Sequence, residues 1–234
     1  VGCILAIAVV KQLFGGLGCN FANPAITGRV FLLLSFAGDM TTWVKPFYYH
    51  GLSIGNQLSS SAGSLDLDAV TSATPLVTGT ESLSNLFLGN VGGCIGETSA
   101  LALLLGGLFL IFTRIISPST PIAYLGSLGI LTFFHALATG GSLTEVPYAL
   151  LSGGVMIGAF FMATDYVTTP ITTKGKWIFG IGCGILTFVI REFASMPEGC
   201  SFSILLMNLL TPYIDKFTMT KPLGAKPIKQ KEEA

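Results

Sequence analysis

Long apolar runs separated by polar segments dominate this chain, with a partial run at residues 1–14 and six further runs after it. Spanning a bilayer as a helix takes about 20 residues, so the shorter runs need flanking residues or tilt to cross. We predict six complete transmembrane helices after one partial helix. The six runs occupy residues 25–37, 95–116, 122–138, 149–166, 177–193 and 202–214.

The first run begins at Val1 rather than at a methionine and ends at Phe14, so it is too short to cross a bilayer. No basic residue precedes it and no small-residue cleavage site follows it, which argues against a signal peptide. We expect this run to be the end of a longer helix. The chain is then the later part of a larger subunit.

Composition strengthens the membrane prediction. Hydrophobic residues make up 51% of the 234 residues, charged residues make up 10%, and the mean hydropathy is +0.73. These values lie outside the range of soluble globular domains, so the lipid bilayer is the expected solvent for most of the chain. The formal net charge is zero, which indicates no nucleic-acid partner.

The five cysteines are scattered, without a C-x-x-C pair or a Cys/His cluster. Their spacing predicts neither a zinc site nor a disulfide framework, and we interpret them as small buried hydrophobic residues. The sequence also has no nucleotide-binding glycine fingerprint and no iron–sulfur spacing. We therefore predict no metal site and no catalytic residue within this chain.

The distribution of Lys and Arg predicts which helix ends face the cytoplasm, since short cytoplasmic loops collect these residues. The lysines that follow residue 215 place the C-terminal tail, residues 218–234, inside. Counting back along the helices places Arg29, Arg114 and the loop 168–176 inside as well. The loops 140–147 and 197–199 then lie outside.

The same count makes the long hydrophilic stretch at residues 39–92 an extracytoplasmic loop. It separates residues 1–38 from residues 93–217, which we expect to form five helices. The stretch is rich in Ser, Thr, Gly and Asn, and loops of this length are commonly functional or disordered. A flexible external linker is the alternative interpretation.

The string DAVTSATPL runs from Asp68 to Leu76 within this loop. It resembles the flavinylation motif of the Rnf and Nqr membrane complexes, in which an aspartate precedes a tetrapeptide of Ser or Thr, a small residue, Ala and Thr. Ser72 stands where glycine is common, and Ala73 and Thr74 complete the match. The resemblance implies that a flavin transferase attaches FMN to the Thr74 hydroxyl as a phosphoester. Asp68 either helps the transferase or is a solvated turn acid.

Four further segments resemble the NqrB/RnfD family, and they recur in the family's order. The short tail and compact loop are more similar to RnfD, the D subunit of the Rnf complex, than to NqrB. The resemblance implies an all-α polytopic protein with a urea-transporter-like pseudo-repeat, in which residues 1–38 end the first repeat and residues 93–217 form the second. The matching segments are residues 14–20, 23–25, 92–101 and 158–165.

The segment 92–101 follows the flavin loop and opens a helix from the external side. A helix N-terminus favours a phosphate or a flavin anion, so Glu97 and Thr98 are candidate flavin-pocket residues. First-turn stabilisation of the helix is the alternative role for both. The resemblance leaves open a second, non-covalent flavin. Arg29 and Asp165, two ionisable residues near helix ends, are candidates to pair across the bundle or to line an ion path.

The resemblance implies a function in electron transfer. The Rnf complex oxidises ferredoxin, reduces NAD and exports Na⁺ or H⁺ across the cytoplasmic membrane. The expected partners are the A, E and G membrane subunits and the peripheral C and B subunits, and we expect no activity from this chain alone. An NqrB-like component of NADH:quinone reductase and a urea-transporter-like solute channel are the alternatives.

Overall fold

The computed structural model describes residues 1–16, 18–41, 43–44, 71–72, 81–94, 96–194 and 198–219. Most of these residues are helical, and a short antiparallel pair of strands, β1 and β2, places Trp43 opposite Ser72. The helices are α1 (Gly2–Ile4, continued by a π-helix at Leu5–Gln12), α2 (Pro24–Ser35), α3 (Ala37–Met40), α4 (Leu83–Leu88), α5 (Ala100–Phe112), α6 (Ser119–Thr139), α7 (Glu145–Leu151), α8 (Val155–Ile157, continued by a π-helix at Gly158–Met162), α9 (Thr173–Phe193) and α10 (Cys200–Thr218); the strands are β1 (Trp43–Val44) and β2 (Thr71–Ser72).

Two of the described helices, α6 and α9, are each long and apolar enough to cross a membrane. Helix α7 and the π-extended helix α8 are inclined at 64° to each other across a short break. If this bent pair is one span, it is a third candidate crossing. Helices α2 and α5 are apolar but shorter, with 12 and 13 residues. Large apolar side chains such as Phe109 and Phe112 are exposed, as expected of a surface that faces lipid.

The expected all-helical architecture with apolar membrane helices is confirmed, but the described helices include only two or three candidate spans, so the six complete spans stay a prediction. The runs at residues 122–138 and 177–193 correspond to α6 and α9. The run at residues 149–166 is not a straight helix, because the chain breaks between α7 and α8. The urea-transporter-like repeat stays a prediction.

The core lies where α6, α9 and α10 meet. Buried side chains from these helices, Tyr124, Phe179 and Ile204 among them, pack in one cluster with Val155 of α8. The Tyr124 hydroxyl lies 2.7 Å from the Thr187 hydroxyl, which lies 2.7 Å from the Ser203 hydroxyl. These bonds satisfy buried polar groups and tie the three helices together.

Glycines on α9 bring it close to α6. A Cβ added at Gly180 would lie 2.8 Å from the backbone oxygen of Thr120, and one added at Gly184 would lie 2.8 Å from that of Tyr124. Small residues four positions apart permit this backbone approach between membrane helices. Helix α9 is therefore the central helix of the described fold.

Helix α2 begins inside the protein rather than at its surface. The buried Asn23 side chain caps it by accepting hydrogen bonds from the backbone N–H groups of Ala25 and Ile26, and Pro24 occupies the first turn. With its amide turned to suit its neighbours, buried Asn208 of α10 donates to the Thr168 carbonyl at 3.3 Å and accepts from the Asn23 N–H at 3.2 Å. The non-helical segments that precede α2 and α9 therefore both contact Asn208 of α10.

Candidate functional site

The flavin motif is mostly outside the described residues. Asp68, Ala73 and Thr74 all lie outside the described residues, so the assignment of Thr74 as the FMN acceptor stays a prediction. The backbone of Ser72 belongs to β2, which pairs with β1. The described segments nearest to the motif on its C-terminal side are α4 and the residues that lead into α5.

A buried ionic cluster forms around Arg29 of α2. Its Nη2 donates to both carboxylate oxygens of Glu198, at 2.6 and 2.8 Å, and lies 3.4 Å from Oε2 of Glu97. The same nitrogen is 3.2 Å from Sγ of Cys94. The cluster therefore joins α2 to the segment before α5 and to the segment before α10.

Burial governs the electrostatics of this cluster. The side chains of Arg29, Glu97 and Glu198 are 20%, 5% and 18% exposed. Burial raises the pKa of the Glu198 carboxyl above its ordinary value, Arg29 opposes that rise, and Glu97 adds to it. Burial likewise raises the pKa of the Cys94 thiol, so this group is a neutral thiol at physiological pH.

The ligand atoms of Cys94, Glu97 and Glu198 lie within 4.8 Å of one another, which is close enough to hold a metal ion. The Arg29 guanidinium already lies within hydrogen-bonding distance of all three side chains. A guanidinium supplies the positive charge that two buried carboxylates require. We therefore interpret the cluster as an ion-pair network with Arg29 as its cation.

The structure contradicts one expectation about Arg29 and one of the two alternatives offered for it, while its role in an ion path stays a prediction. Charge counting put Arg29 and Glu198 near opposite membrane faces, yet their side chains are 2.6 Å apart. The proposed pairing of Arg29 with Asp165 is also not formed, since Asp165 accepts a hydrogen bond from Thr168 at the end of the second π-helix. The positive-inside rule concerns loop residues, whereas Arg29 lies within a helix that begins inside the protein.

The segment before α5 places the two flavin-pocket candidates differently. Glu97 is buried and its carboxylate faces Arg29, while Thr98 is half-buried beside Gly93. Ser99 caps α5 by accepting the backbone N–H of Ala102. Helix capping is therefore performed by Ser99, and the Glu97 carboxylate is used in the ion-pair network.

A cavity of about 560 Å³ lies beside the break between α7 and α8. Arg191, near the end of α9, donates to the carbonyl oxygens of Ala149 at 2.7 Å and Ser152 at 3.1 Å. Its guanidinium thus binds the C-terminal carbonyls of α7, where the helix dipole favours a cation. Polar residues dominate the lining of the cavity: Glu81, Thr132, Thr144, Glu145, Tyr148, Ser152, Arg191 and Glu192.

Comparison with known proteins places the chain in a family. A profile of the NQR2, RnfD, RnfE family matches residues 1–224. The chain belongs to this family. The match covers nearly all of the sequence, including the ionic cluster and the cavity.

Several proteins of the family are similar to the chain over most of its length. It is 47% identical to the D subunit of the Na(+)-translocating ferredoxin:NAD(+) oxidoreductase complex of Acetobacterium woodii, over 100% of the chain and 69% of that protein. It is 42% identical to the proton-translocating counterpart of Clostridium ljungdahlii, over 97% of the chain and 68% of that protein. It is 40% identical to the D subunit of the ion-translocating oxidoreductase complex of Stutzerimonas stutzeri, over 95% of the chain and 69% of that protein.

Sequence reasoning missed four residues of these two sites. Cys94 was interpreted as a small buried hydrophobic residue, Glu198 was only part of the loop 197–199, and neither Arg191 nor Ser152 was singled out as a site residue. Arg191 carried little signal, because an arginine in the last turn of an apolar helix can reach the membrane interface without a protein partner. The pairing of Glu198 with Arg29 carried no local signal, since 169 positions separate the two residues.

Proposed function

We propose that this chain is the membrane-bound D subunit of an ion-translocating ferredoxin:NAD oxidoreductase complex, and that it carries a covalent FMN on Thr74. The FMN, when bound, supplies the electron chemistry, and the chain holds it beside the partner subunits. Export of Na⁺ or H⁺ is coupled to this electron transfer. The observation that carries the proposal is the flavinylation-like string at residues 68–76 in a chain of this family.

Two features of the described structure support a bound flavin. The buried Arg191 Nε and Ser152 Oγ find no hydrogen-bond partner among the described residues, and both residues line the cavity next to the end of the flavin loop. Orphaned buried polar atoms are costly, and a bound water, ion or other ligand is one explanation for them. The cavity volume lies within the range of small-molecule sites, about 300–1,000 Å³.

The relatives favour the Rnf type of complex over the alternatives. The similar proteins from Acetobacterium woodii and Clostridium ljungdahlii are both named as the D subunit of a ferredoxin:NAD(+) oxidoreductase complex. One is named as Na(+)-translocating and the other as proton-translocating, so similarity to them does not identify the ion that this chain's complex would transport. We propose the other Rnf subunits as partners and expect no ferredoxin-dependent NAD reduction from the isolated chain.

The proposed attachment predicts a sharp difference between two threonines. Thr74→Val keeps the β-branched shape but removes the hydroxyl that forms the phosphoester, so covalent flavin is lost while the fold is retained. Thr71→Val, three residues earlier, keeps the flavin. The measurement is in-gel flavin fluorescence after denaturation, with peptide mass analysis of residues 68–76, following co-expression with a flavin transferase.

Thr74→Ser is the intermediate case, because a hydroxyl remains available to the transferase. Full flavinylation of Thr74→Val together with loss in Thr71→Val shows that the register of the motif is wrong. Absence of covalent flavin from the parent chain refutes the proposed function and leaves a solute channel as the better explanation.

A further inference from the structure

A second cavity, of about 470 Å³, lies where three apolar helices end. Ile111 near the C-terminus of α5, Thr120 in the first turn of α6 and Lys176 in the first turn of α9 all line it. The ends of membrane helices lie at the level of the lipid headgroups. The cavity is therefore placed where the headgroup of a lipid lies in a bilayer.

The charge of the cavity wall is positive. Arg114 and Lys176 are the charged residues of the lining, and no carboxylate of the described residues lines the cavity with them. Neither side chain forms an ion pair or a hydrogen bond with the rest of the described chain. Asp165 and Asp215, the acids of the neighbouring segments, instead accept hydrogen bonds from other protein groups. The wall is therefore complementary to an anionic occupant.

One nearly buried hydroxyl at the cavity has no partner. Thr120 is only 1% exposed, and its hydroxyl makes no hydrogen bond within the described residues. Among those residues, the side-chain atoms that are both unpaired and fully enclosed belong to Ser152 and Arg191, so the Thr120 hydroxyl keeps some accessible surface. Because Thr120 lines the cavity, that surface faces the cavity. An occupant with an acceptor oxygen would satisfy this donor.

Arg114 is held in an unusual backbone conformation. Its φ is +60°, and it is the one non-glycine residue with a positive φ in the described part of the chain. It follows the C-terminus of α5, where the Ile115 N–H bonds to the Leu110 carbonyl oxygen at 3.0 Å. Glycine is usual at this position, because it adopts the left-handed conformation without a steric cost. An arginine here costs folding free energy, which indicates a use for its side chain.

We propose that this cavity binds the phosphate group of an anionic phospholipid, with Arg114 and Lys176 as its cations and the Thr120 hydroxyl as a neutral donor. The headgroup carries a net negative charge, as in phosphatidylglycerol. No described carboxylate lines the cavity to hold the ammonium group of a choline or ethanolamine headgroup. The inference does not depend on a flavin at Thr74.

The apolar rim of the cavity favours a lipid over a soluble anion. Ile115, Tyr166 and Ile171 line the cavity and are exposed, and Phe112 at the end of α5 is exposed nearby. Acyl chains can cover these side chains, whereas free phosphate cannot. The Tyr166 hydroxyl donates to the Ile115 carbonyl oxygen, which keeps its ring at the rim. Tyrosine rings are typical of the membrane interface.

The cavity also joins two segments for which charge counting predicts the cytoplasmic side. Arg114 follows α5, and Lys176 ends the loop 168–176. Both contribute to one wall, although each is a single basic residue in its own segment. Basic pockets between membrane helices on that side are typical sites for acidic headgroups. The fold thus assembles a basic pocket that the sequence does not show as a cluster.

Arg114→Gly is the decisive variant. It removes one cation and puts glycine in a left-handed position, so the protein should fold at least as well as the parent. Lys176→Gln removes the second cation, and Thr120→Val removes the hydroxyl without leaving a described protein group unpaired. Lys174→Gln is the matched control, because Lys174 loses the same charge in the same helical turn but does not line the cavity.

The measurement is the ratio of two lipids bound to the protein. The full chain is purified in a neutral detergent, dioleoylphosphatidylglycerol and dioleoylphosphatidylcholine are added in equal amounts, and the bound lipids are counted by native mass spectrometry. The parent should favour phosphatidylglycerol. Arg114→Gly and Lys176→Gln should each lower the ratio about fivefold, the effect of one basic residue near an anionic lipid. Lys174→Gln should match the parent.

Thr120→Val should act differently, because its hydroxyl donates to the phosphate that both lipids carry. It should lower the bound amount of both lipids about fivefold and leave their ratio unchanged. An unchanged amount of both lipids would remove Thr120 from the site and contradict the proposed geometry.

Thermal unfolding of each variant shows which proteins are folded, and four results would overturn the proposal. The parent binds the two lipids equally; folded Arg114→Gly keeps the parent's ratio; or Lys174→Gln lowers the ratio as much as Lys176→Gln, which indicates a general basic surface. The fourth is that inorganic phosphate raises the unfolding temperature of the parent but not of Arg114→Gly, while phosphatidylglycerol does not, which indicates a site for a soluble anion. If Arg114→Gly does not fold, Lys176→Gln decides the question.

Discussion

Arg29 connects three parts of the chain that are far apart in the sequence. Its guanidinium balances the buried carboxylates of Glu97 and Glu198, and no apolar contact could replace that balance while both acids remain. Removing one partner of a buried pair leaves an uncompensated charge, which costs more than the pair itself contributes. The cluster is therefore sensitive to the loss of Arg29 alone.

Arg29→Met should lower the free energy of unfolding by about 3 kcal/mol, because two buried carboxylates lose their cation. Adding Glu198→Gln should recover part of that loss. Lys174→Met, at an exposed lysine, should have little effect. Thermal unfolding in detergent measures all three, and an equal effect of Arg29→Met and Lys174→Met would contradict the structural role of the cluster.

The same variant should show a pH dependence of defined sign. Burial raises the pKa of Glu198 in the folded state, and Arg29→Met removes the opposing charge. The folded state then binds more protons than the unfolded state, so stability falls as the pH rises above the ordinary glutamate value of 4.5. The deficit of Arg29→Met relative to the parent should shrink as the pH is lowered toward that value, and a deficit that grows on acidification would contradict this assignment.

Part of this site was predictable from the sequence. The segment around Glu97 and Thr98 was singled out because it follows the flavin loop and opens a helix, and the structure places Glu97 in a buried polar site. Its partners could not be predicted, since loop charges specify a membrane face only for residues that lie in loops. Arg29 lies in a helix that begins at the buried cap Asn23, and hydropathy does not reveal where such a helix starts.

Where glycines show how closely two helix backbones approach, the closest pair is α6 and α9. A side chain at Gly184 would overlap the Ser127 hydroxyl and crowd the backbone of α6. Gly126, on α6 itself, has open space around its would-be Cβ. These two glycines therefore have different roles, although both lie in long apolar helices.

Gly184→Ala should destabilise the protein by about 1–3 kcal/mol, because the added methyl group forces α6 and α9 apart. Gly126→Ala should be neutral or slightly stabilising, since alanine has the higher helix propensity and meets no neighbour. Thermal unfolding in detergent distinguishes them. Equal unfolding temperatures for the two variants would show that the helices are not packed as described.

The apolar runs predicted the long helices well and the interrupted ones poorly. Residues 122–138 and 177–193 lie within uniform helices of 21 residues. The run at residues 149–166 contains Gly153 with φ +64°, a left-handed conformation that glycine adopts readily, and the helix breaks there. A hydropathy average cannot distinguish a broken apolar segment from a straight one, because the break replaces no apolar residue with a charged one.

At the scale of the whole molecule, the cavity beside the break between α7 and α8 gives a structural reason for placing the flavin loop and the loop 140–147 on the same side of the membrane. Glu81 in the C-terminal part of the flavin loop and Glu145 within the loop 140–147 both line it. Lys174 and Lys176 lie at the other end of the long helix α9 from Arg191. The sidedness that charge counting gave these two loops is consistent with this grouping, whereas the Arg29–Glu198 contact contradicts the side assigned to one of those two residues. The orientation in the membrane stays a prediction.

Ser142→Cys should react with an impermeant thiol reagent in whole cells, whereas Lys174→Cys should react only after the membrane is opened. Both positions are exposed, and they belong to loops predicted to lie outside and inside. The natural exposed cysteines, Cys3 and Cys19, are first replaced by serine so that labelling reports the new position alone. The opposite labelling pattern would place the flavin loop in the cytoplasm.

The Arg29–Glu198 bond also has a consequence for biogenesis. Because 169 positions separate its partners, the bond forms only after the chain has been synthesised as far as Glu198. Until then the early helices carry a guanidinium without its final partner, in surroundings where such a charge is costly. A product truncated before Glu198 therefore keeps an arginine that lacks this partner.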